Sequence, residues 1–411
     1  MILFDLEIHG HHANYISHIL QHWPHQQTRL HVVISPRLLK HHSTLRDIKT
    51  VCSVEWHPIT TDELAWYTHS KRSLVRHALV EWQLLCRYAK KLAVDRVFIP
   101  YIDRFQLSLA LHLPFPCHVS GIYFRPKFHY HTFVNSTASA RPTMAERIHN
   151  VRTRCLWWSG LRHRQLKTLL TLDPFAVNPL QKLNSNAHVR HLPDPVDLPS
   201  MGNVEHATIN RQTLGIDEVR VVLLLFGLLN QRKGIYPLFE ALSLLPKRIQ
   251  NKITVLLVGH VDEEEQEQAL AAIQQAQETS FAQIILHDKF IADEDIPHYF
   301  AMSDVVLTLY QRHVGSSGVL LLAAAAGKPV LSSSYGLLGE WVRRHELGKV
   351  VDSQNPDEIA QALKQLIGDV YDGAGKDIEQ SINRAKAAQF VQTHSTEQFV
   401  DIISSAILSI E

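Results

Sequence analysis

Residues 220–245 read RVVLLLFGLLNQRKGIYPLFEALSLL, and this stretch decides the fold class. Its first seven residues are almost wholly apolar, which is typical of a strand buried on both faces of a parallel sheet. A glycine and a polar loop follow as far as Gly234, and a helix is predicted from there to Leu245. A buried strand, a glycine-containing loop and a helix together form the repeating unit of doubly wound α/β domains.

The same alternation continues on both sides of this stretch. Short apolar strands alternate with helices down to about residue 367, and four further strands are predicted before residue 125. Between the two regions, residues 191–199 (HLPDPVDLP) contain three prolines, which is typical of a linker because proline donates no ladder hydrogen bond. We therefore predict an α/β protein with two Rossmann-like, doubly wound parallel-sheet domains facing a central cleft.

The predicted boundaries are residues 1–195 for an N-terminal domain, 196–385 for a C-terminal domain and 386–411 for a C-terminal helix that returns to the first domain. Charge changes sign near the first boundary. Residues 1–200 contain 24 Lys+Arg against 13 Asp+Glu, whereas the remainder contains 17 against 27. Opposite charges predict different partners for the two domains, although drift in surface composition gives the same pattern.

The composition argues against several classes of protein. Its 45% hydrophobic and 20% charged residues are typical of an ordered globular chain. The four cysteines lie far apart without a CxxC pair, which argues against a disulfide framework or a cysteine zinc site and favours the cytoplasm. We expect no signal peptide and no membrane span, and the inner face of the membrane is the alternative location. A pI of about 7.9 without a binding motif argues against nucleic acid.

Two loops of the second domain are suited to bind a diphosphate. The loop after the first strand contains Gly227, Arg232 and Lys233, so it offers two cations and the N-terminus of a helix. A second loop directly precedes another helix, whose dipole favours an anion. Its residues are Gly315, Ser316, Ser317 and Gly318. A solvated basic turn and an ordinary N-cap are the alternative interpretations of these two loops.

Taken in order, segments of the second half resemble the donor-binding domain of the large retaining family 4 of GT-B glycosyltransferases. The matching segments are HLPDPVD (191–197), the Gly227 loop up to Lys233 and Gly234, Val258 and Gly259, SDV (303–305), GKPV (327–330), EWV (340–342) and LGKVV (347–351). This resemblance covers about residues 190–370, and the first half resembles the family by architecture alone. It implies that Lys233 contacts a pyrophosphate and that Glu340 belongs to the donor site.

The sequence departs from the family where the sugar and ribose are held. Two glutamates expected eight positions apart fall on Val314 and Leu322, and an expected arginine falls on Leu228. Arg232 is the candidate for the missing cation. The loop residues Ser316 and Ser317 are candidates to contact the sugar or phosphate.

The resemblance assigns the acceptor to the N-terminal domain. The predicted acceptor contacts are His9, Gly10, Tyr123 and Arg125, and the candidate catalytic residues are His11, His12 and Asp103. Histidines after the first strand are suited to act as bases or to hold a sugar, and a merely His-rich surface is the equal alternative. Asp103 equally fits a helix N-cap, and Arg125 equally fits a structural ion pair. His9, His11 and His12 lack an accompanying carboxylate, so we predict no metal, and we expect no cofactor.

Two basic stretches stand out in the first half, Ser70–Lys91 and Arg141–Lys167. The second contains Trp157 and Trp158 among its arginines. Basic residues beside paired tryptophans suit peripheral contact with an anionic membrane. An anionic acceptor is one alternative, and a solvated face with its tryptophans in the core is the other.

The resemblance implies a glycosyltransferase of EC class 2.4. The enzyme would move a sugar from a nucleotide-diphospho-sugar to a glycan, lipid or other small acceptor, with retention and without a metal. Because the expected glutamates are missing, a catalytically inactive binding or scaffold protein is the first alternative. A sugar-nucleotide epimerase, which needs no acceptor, is the second.

Overall fold

The structure, a computed structural model, describes residues 1–8, 12–50, 52–133, 143–183, 185–195, 209–371 and 378–408. The chain divides into two compact units. The first contains Met1–His129, Pro142–Pro195 and His394–Glu411, and the second contains Tyr130–Arg141 and Val196–Thr393. Each unit is built on its own parallel sheet.

The first unit contains a seven-stranded sheet in which every pair is parallel. Its strands are β1 (Ile2–Asp5), β2 (Arg29–Ile34), β3 (Ser53–Pro58), β4 (Arg96–Ile99), β5 (His118–Tyr123), β6 (Leu166–Thr171) and β7 (His188–His191). The order across the sheet is β3-β2-β1-β4-β5-β6-β7, so the chain reverses its direction of growth between β1 and β4. Loops that follow strands on the two sides of such a reversal splay apart and leave room for a ligand.

Helices cover both faces of the first sheet. They are α1 (His12–His22), α2 (Pro36–His41), α3 (Thr61–Ser70), α4 (Leu74–Lys91), α5 (Gln106–Ala110), α6 (Met144–Gly160) and α7 (Pro174–Gln181). Two apolar clusters lie on the two faces, one around Val33 and Leu84 and the other around Val32 and Ile16. Neighbouring strand residues such as Val32 and Val33 contribute to opposite clusters because strand side chains alternate.

The second unit contains a six-stranded parallel sheet. Its strands are β8 (Val221–Phe226), β9 (Ile253–Val258), β10 (Gln283–His287), β11 (Val305–Thr308), β12 (Val330–Ser333) and β13 (Gly348–Val351). The order β10-β9-β8-β11-β12-β13 is 3-2-1-4-5-6 when the strands are counted within the unit, which is the Rossmann order. The reversal lies between β8 and β11.

The apolar run Val221–Phe226 forms β8, at the centre of this sheet. Val222, Leu223 and Leu224 are fully buried. Burying such a side chain stabilises the fold by about 1.5–3 kcal/mol, so this strand is one of the main anchors of the unit. The helices are α8 (Ile235–Leu244), α9 (Lys247–Gln250), α10 (Gln266–Thr279), α11 (Ile296–Met302), α12 (Gly318–Ala325), α13 (Gly336–Arg344), α14 (Pro356–Tyr371) and α15 (Arg384–Gln392).

The division of the chain differs from the predicted boundaries at its C-terminal end. The helix α15 packs in the second unit, where Phe390 contacts Trp341 and His345. The last helix, α16 (Thr396–Leu408), packs in the first unit instead, and Phe399 contacts Tyr15 of α1. The passage to the first unit therefore comes after α15 and not at residue 386, because aromatic contacts hold α15 against α13.

A second difference is a short segment of the first half that belongs to the second unit. The ring of Tyr130 lies so close to Gly336 that a Cβ there would come within 2.5 Å of it. The Tyr130 hydroxyl also accepts a hydrogen bond from the Gly315 N–H at 3.3 Å. A boundary placed from proline content does not show that a segment of the first half packs in the second unit.

The predicted pair of Rossmann-like parallel-sheet domains is confirmed. Among the described residues, none of the helices combines the length and apolarity needed to cross a bilayer.

Candidate functional site

The first part of the candidate site is the loop that follows β8. Gly227 begins it with a φ of +99°, a backbone region that favours glycine. A short 3-10 turn at Gln231–Lys233 then leads into α8. A Cβ on Gly227 would lie 3.0 Å from the Nζ of Lys233, so glycine leaves the space that the ammonium group occupies.

Lys233 folds back beneath this loop and is buried, with 5% of its surface exposed. Its Nζ donates to the carbonyl oxygen of Phe226 at 2.8 Å and to the hydroxyl oxygen of Tyr310 at 2.9 Å. A buried cation needs such partners because it has lost its water. An ammonium group has three N–H donors, and within the described part of the chain these two bonds leave one for a ligand.

Tyr310 connects this loop to the other side of the strand reversal. It follows β11, and its hydroxyl oxygen also accepts a hydrogen bond from Ser317 Oγ at 3.2 Å. Tyr310 is not among the site residues predicted from the sequence. Its signal was a polar aromatic side chain just beyond the apolar strand VVLT, but its partners follow only from the adjacency of β8 and β11.

The second predicted loop precedes α12. Ser317 is the N-cap of this helix, and its Oγ accepts a hydrogen bond from the N–H of Leu320 at 3.4 Å. The Ser316 carbonyl oxygen lies 2.9 Å from His313 Nε2. Gly318 is exposed, and a Cβ there would meet no atom within 4 Å among the parts of the chain that are described. The loop is therefore anchored from within and open at the start of the helix.

The neighbouring cation, Arg232, lies at the exposed edge of this site. Its guanidinium carbon is 5.8 Å from the centre of the Tyr310 ring, and its Nη1 is 3.3 Å from His313 Nδ1. Arg232 and Lys233 thus contact the same tyrosine, one from solvent and the other from the buried side. Both predicted cations lie together at the end of β8.

Glu340 is on α13, the helix that follows β12. Its Oε1 accepts from Arg344 Nε at 2.7 Å, and its Oε2 lies 3.4 Å from Arg343 Nη1. The carboxylate is therefore already neutralised by its own helix. At the positions where the resemblance expects glutamates, Leu322 is buried within α12 and Val314 is half-buried.

In the first unit, polar side chains meet at the carboxyl ends of β1 and β4. Asp5 ends β1 and is buried, and its Oδ2 lies 2.6 Å from Nδ1 of His12, the first residue of α1. The imidazole of His12 also contacts the ring of Tyr101, with centroids 5.1 Å apart. His12 was predicted from the sequence and Asp5 was not, although a carboxylate at the end of an apolar strand is a signal visible in the sequence.

Asp103 lies in the same region but has a different role from the N-cap considered above. Its carboxylate oxygens accept hydrogen bonds from the backbone N–H groups of Phe124 at 2.9 Å and Arg125 at 3.3 Å, just beyond β5. Burial raises the pKa of Asp103 to about 6, although these backbone bonds oppose the shift. The side chain thus ties the end of β5 to the segment after β4.

The remaining residues predicted to contact the acceptor differ in their exposure. Tyr123 is buried in the core, with its ring 4.8 Å from that of Trp157, so it does not face a ligand. Arg125 is exposed. Burial raises the pKa of Tyr101, and the positive charge of Arg125 acts in the opposite direction by lowering this pKa. His9, Gly10 and His11 lie outside the described residues.

Comparisons with known proteins agree with this architecture. Residues 207–387 match the family model described as glycosyl transferases group 1. A Bacillus subtilis (strain 168) protein named "Putative glycosyltransferase YtcC" is 26% identical over 204 residues, which are 48% of this chain and 48% of that protein. A D-inositol 3-phosphate glycosyltransferase of Corynebacterium urealyticum is 30% identical over 167 residues, covering 40% of this chain and 39% of that protein. The matches thus span about half or less of these relatives.

A solved structure, that of Anabaena HepE in complex with UDP, has the same fold. It aligns with a TM-score of 0.66 at 15% identity and covers 100% of this chain and 99% of that one. The fold is therefore GT-B. The match to the glycosyl transferases group 1 model lies within the second unit.

Proposed function

We propose that this protein is a glycosyltransferase whose second unit binds a nucleotide-diphospho-sugar between the ends of β8 and β11. The observation that carries the proposal is the buried ammonium of Lys233, which keeps one N–H for a ligand and lies beside the hydroxyl group that Ser317 also contacts. A cation at the switch point of a Rossmann sheet is suited to a diphosphate.

The chemistry follows from where negative charge develops. When the bond between sugar and diphosphate breaks, charge accumulates on the leaving diphosphate. Lys233, the backbone N–H groups at the start of α12 and the dipole of that helix would stabilise it, and Arg232 would add a second cation from the exposed edge. The small residues Gly315 to Gly318 allow the diphosphate to approach the backbone. Glu340 is the proposed contact to the sugar.

The acceptor hydroxyl group is proposed to bind in the first unit, at His12. With Asp5 bonded to Nδ1, the imidazole keeps Nε2 for the acceptor, as an orienting group or as a base. Arg125 is exposed, and its backbone N–H donates to Asp103. Its guanidinium group is proposed to contact an anionic part of the acceptor. Retention and independence of a metal are carried over from the resemblance to the family.

The donor proposal is tested with Lys233→Ala and Lys233→Met, the second of which keeps most of the buried alkyl chain. Both should weaken binding of uridine or guanosine diphosphate by about 10- to 100-fold, the loss expected for one charge-assisted hydrogen bond. Binding is measured by calorimetry. Donor turnover is followed with and without a panel of acceptors, and NMR reports the anomeric configuration of any product.

Lys364→Ala is the matched control, because this lysine is exposed on α14. It should leave both binding and turnover unchanged, and thermal melting checks that all variants fold. Unchanged binding in the two Lys233 variants would remove the diphosphate assignment. Binding of nucleotide without turnover of any donor would favour a binding protein, and conversion of donor alone to an isomer would favour an epimerase.

The proposal extends to a membrane partner through α6. This helix has exposed apolar side chains at spacings of 4, 3, 4 and 3 residues, which place them on one side: Met144, Ile148, Val151, Cys155 and Trp158. Arg147, Arg152 and Arg154 are exposed beside them. Of the two tryptophans, Trp157 is buried and Trp158 is 55% exposed. An apolar stripe flanked by arginines favours the surface of an anionic bilayer.

Sedimentation with vesicles tests this contact. The protein should bind vesicles that contain phosphatidylglycerol and not pure phosphatidylcholine, and Trp158 fluorescence should shift to shorter wavelength. Ile148→Ser should weaken binding by about 10- to 100-fold, because one buried aliphatic side chain contributes about 1.5–3 kcal/mol. Leu270→Ser, at an exposed leucine of α10, is the control. Equal binding to both vesicle types, or no effect of Ile148→Ser, would contradict the contact.

A further inference from the structure

A cluster of three potential metal ligands lies on the two outermost strands at one edge of the first sheet. The residues are His31 on β2 and Glu55 and His57 on β3. In the parallel register His31 is opposite Glu55, and His57 follows two residues later, so all three side chains project from the same face. Residues 31 and 55 are far apart in sequence, so the sequence does not show that these ligands meet.

The ligand atoms converge on one point. His31 Nδ1 lies 3.0 Å from His57 Nε2 and 3.2 Å from Glu55 Oε2, and His57 Nε2 lies 3.7 Å from the same carboxylate oxygen. Ligands that surround a zinc ion tetrahedrally at about 2.0–2.2 Å are separated from one another by about 3.3–3.6 Å. The three observed separations lie around this value.

Hydrogen bonds alone do not account for this triangle well. A neutral imidazole carries one N–H, so His31 Nδ1 can donate a well-aligned hydrogen bond to His57 or to Glu55 but not to both. The other carboxylate oxygen, Glu55 Oε1, is 3.5 Å from the Nε of Arg29 and is thereby directed away from the histidines. A cation at the common point would satisfy all three ligand atoms at once.

We propose that His31, Glu55 and His57 bind a zinc ion, with water as the fourth ligand. Two imidazoles and a carboxylate form a donor set that zinc accepts readily. The side chain of Glu55 is 43% exposed and that of His57 is 23% exposed, so water has access, whereas His31 is 11% exposed. The ion would cross-link the edge strand β3 to β2, on the face of the sheet and away from the strand ends proposed to bind substrates.

The test uses the full chain, without an affinity tag and after treatment with a chelator. Titration with zinc should reveal one tight site per chain, and cobalt should give the intense visible absorption of a tetrahedral complex. His57→Gln and Glu55→Gln should each lower the zinc affinity by more than 100-fold. Removing a residue that only supports a metal ligand lowers the affinity by about 10- to 100-fold. Zinc should also raise the melting temperature of the original protein, because the site exists only in the folded state.

His188→Gln is the matched control, since His188 is an exposed histidine on β7, the strand at the other edge of the sheet. It should bind zinc and cobalt like the original protein. Circular dichroism establishes that the variants are folded. No tight site, or a site that survives in both His57→Gln and Glu55→Gln with its cobalt spectrum unchanged, would overturn the proposal, the latter because other histidines would then hold the metal.

Discussion

The two units place polar side chains at equivalent points of their sheets, and the two sets differ in chemistry. In the second unit, the ends of β8 and β11 gather a buried ammonium group and two hydroxyl groups, from Lys233, Tyr310 and Ser317. In the first, the carboxylate of Asp5 at the end of β1 meets the imidazole of His12 at the start of α1, beside Tyr101, which follows β4. The strand order fixes where a ligand can bind, and the side chains fix whether the site favours an anion or a proton-accepting role.

Replacing His12 should separate the two sites most strongly. We expect His12→Ala to reduce sugar transfer by about 10²–10⁴-fold, the usual contribution of a group that moves or orients a proton. Binding of nucleoside diphosphate should stay unchanged, because that site belongs to the other unit. His25→Ala, at an exposed histidine, is the control. Undiminished transfer in His12→Ala would end the assignment of this residue.

Asp103 offers a pH test of the first unit. Since its pKa is raised to about 6, the folded protein holds this proton more tightly than the unfolded chain, where an aspartate titrates near about 3.9. Its contribution to stability is present below about pH 4 and is lost as the pH rises to about 6. Relative to the original protein, Asp103→Asn should therefore gain up to about 3 kcal/mol between these values.

Denaturant titrations at several pH values measure this difference in the free energy of unfolding. Asp357→Asn, at an exposed aspartate on α14, serves as the control and should show no such gain. If the difference between Asp103→Asn and the original protein is the same at all pH values, the carboxyl group is not perturbed by burial.

Tyr310→Phe tests the contact of Tyr310 with Lys233 and Ser317 in the second unit. It is expected to have a smaller effect. The change removes the hydroxyl oxygen that Lys233 and Ser317 share. Binding of nucleoside diphosphate should weaken by about 3- to 10-fold, the value of one hydrogen bond that positions the cation. Tyr236→Phe is a close control, since the Tyr236 hydroxyl group has no hydrogen-bond partner in the described part of the chain. Equal affinities of the two variants would count against Tyr310.

The smallest effect is expected at Glu340, whose carboxylate is already paired with Arg343 and Arg344. Glu340→Gln should weaken donor binding by only about 2- to 3-fold, in the range of a partly exposed ion pair. The affinity for an intact nucleotide-sugar, compared with that for the free diphosphate, measures it. Glu278→Gln on α10 is the control. An unchanged affinity for the nucleotide-sugar would remove the sugar contact proposed for Glu340.

Much of the second site was visible in the sequence because its signals are local. An apolar strand, then Gly227, then Lys233 and Gly234 lie within fifteen residues, and the order strand-loop-helix already specifies which end of the sheet they occupy. Ser317 was likewise visible as a small polar residue before a helix. Its N-cap bond and its contact with Tyr310 were not, because the partner belongs to a different loop.

Other features required the fold. Tyr123 looked like a strand-end contact, but packing against Trp157 buries it. Trp157 and Trp158 are adjacent and basic residues surround both, yet one lies in the core and the other in solvent, since neighbouring positions on a helix point about 100° apart.

The sequence by itself determined the fold class, the loop that we propose to bind a diphosphate, and the absence at Val314 and Leu322 of the two glutamates that the resemblance expects, because each depends on residues close together in the chain. The tertiary structure decided which distant residues meet. It paired Asp5 with His12, joined Lys233 to Tyr310, and brought His31 to Glu55 and His57 through the register of two parallel strands. Hydrogen bonds and metal ligation act over about 2–3 Å, and only a folded chain brings separated residues within that distance.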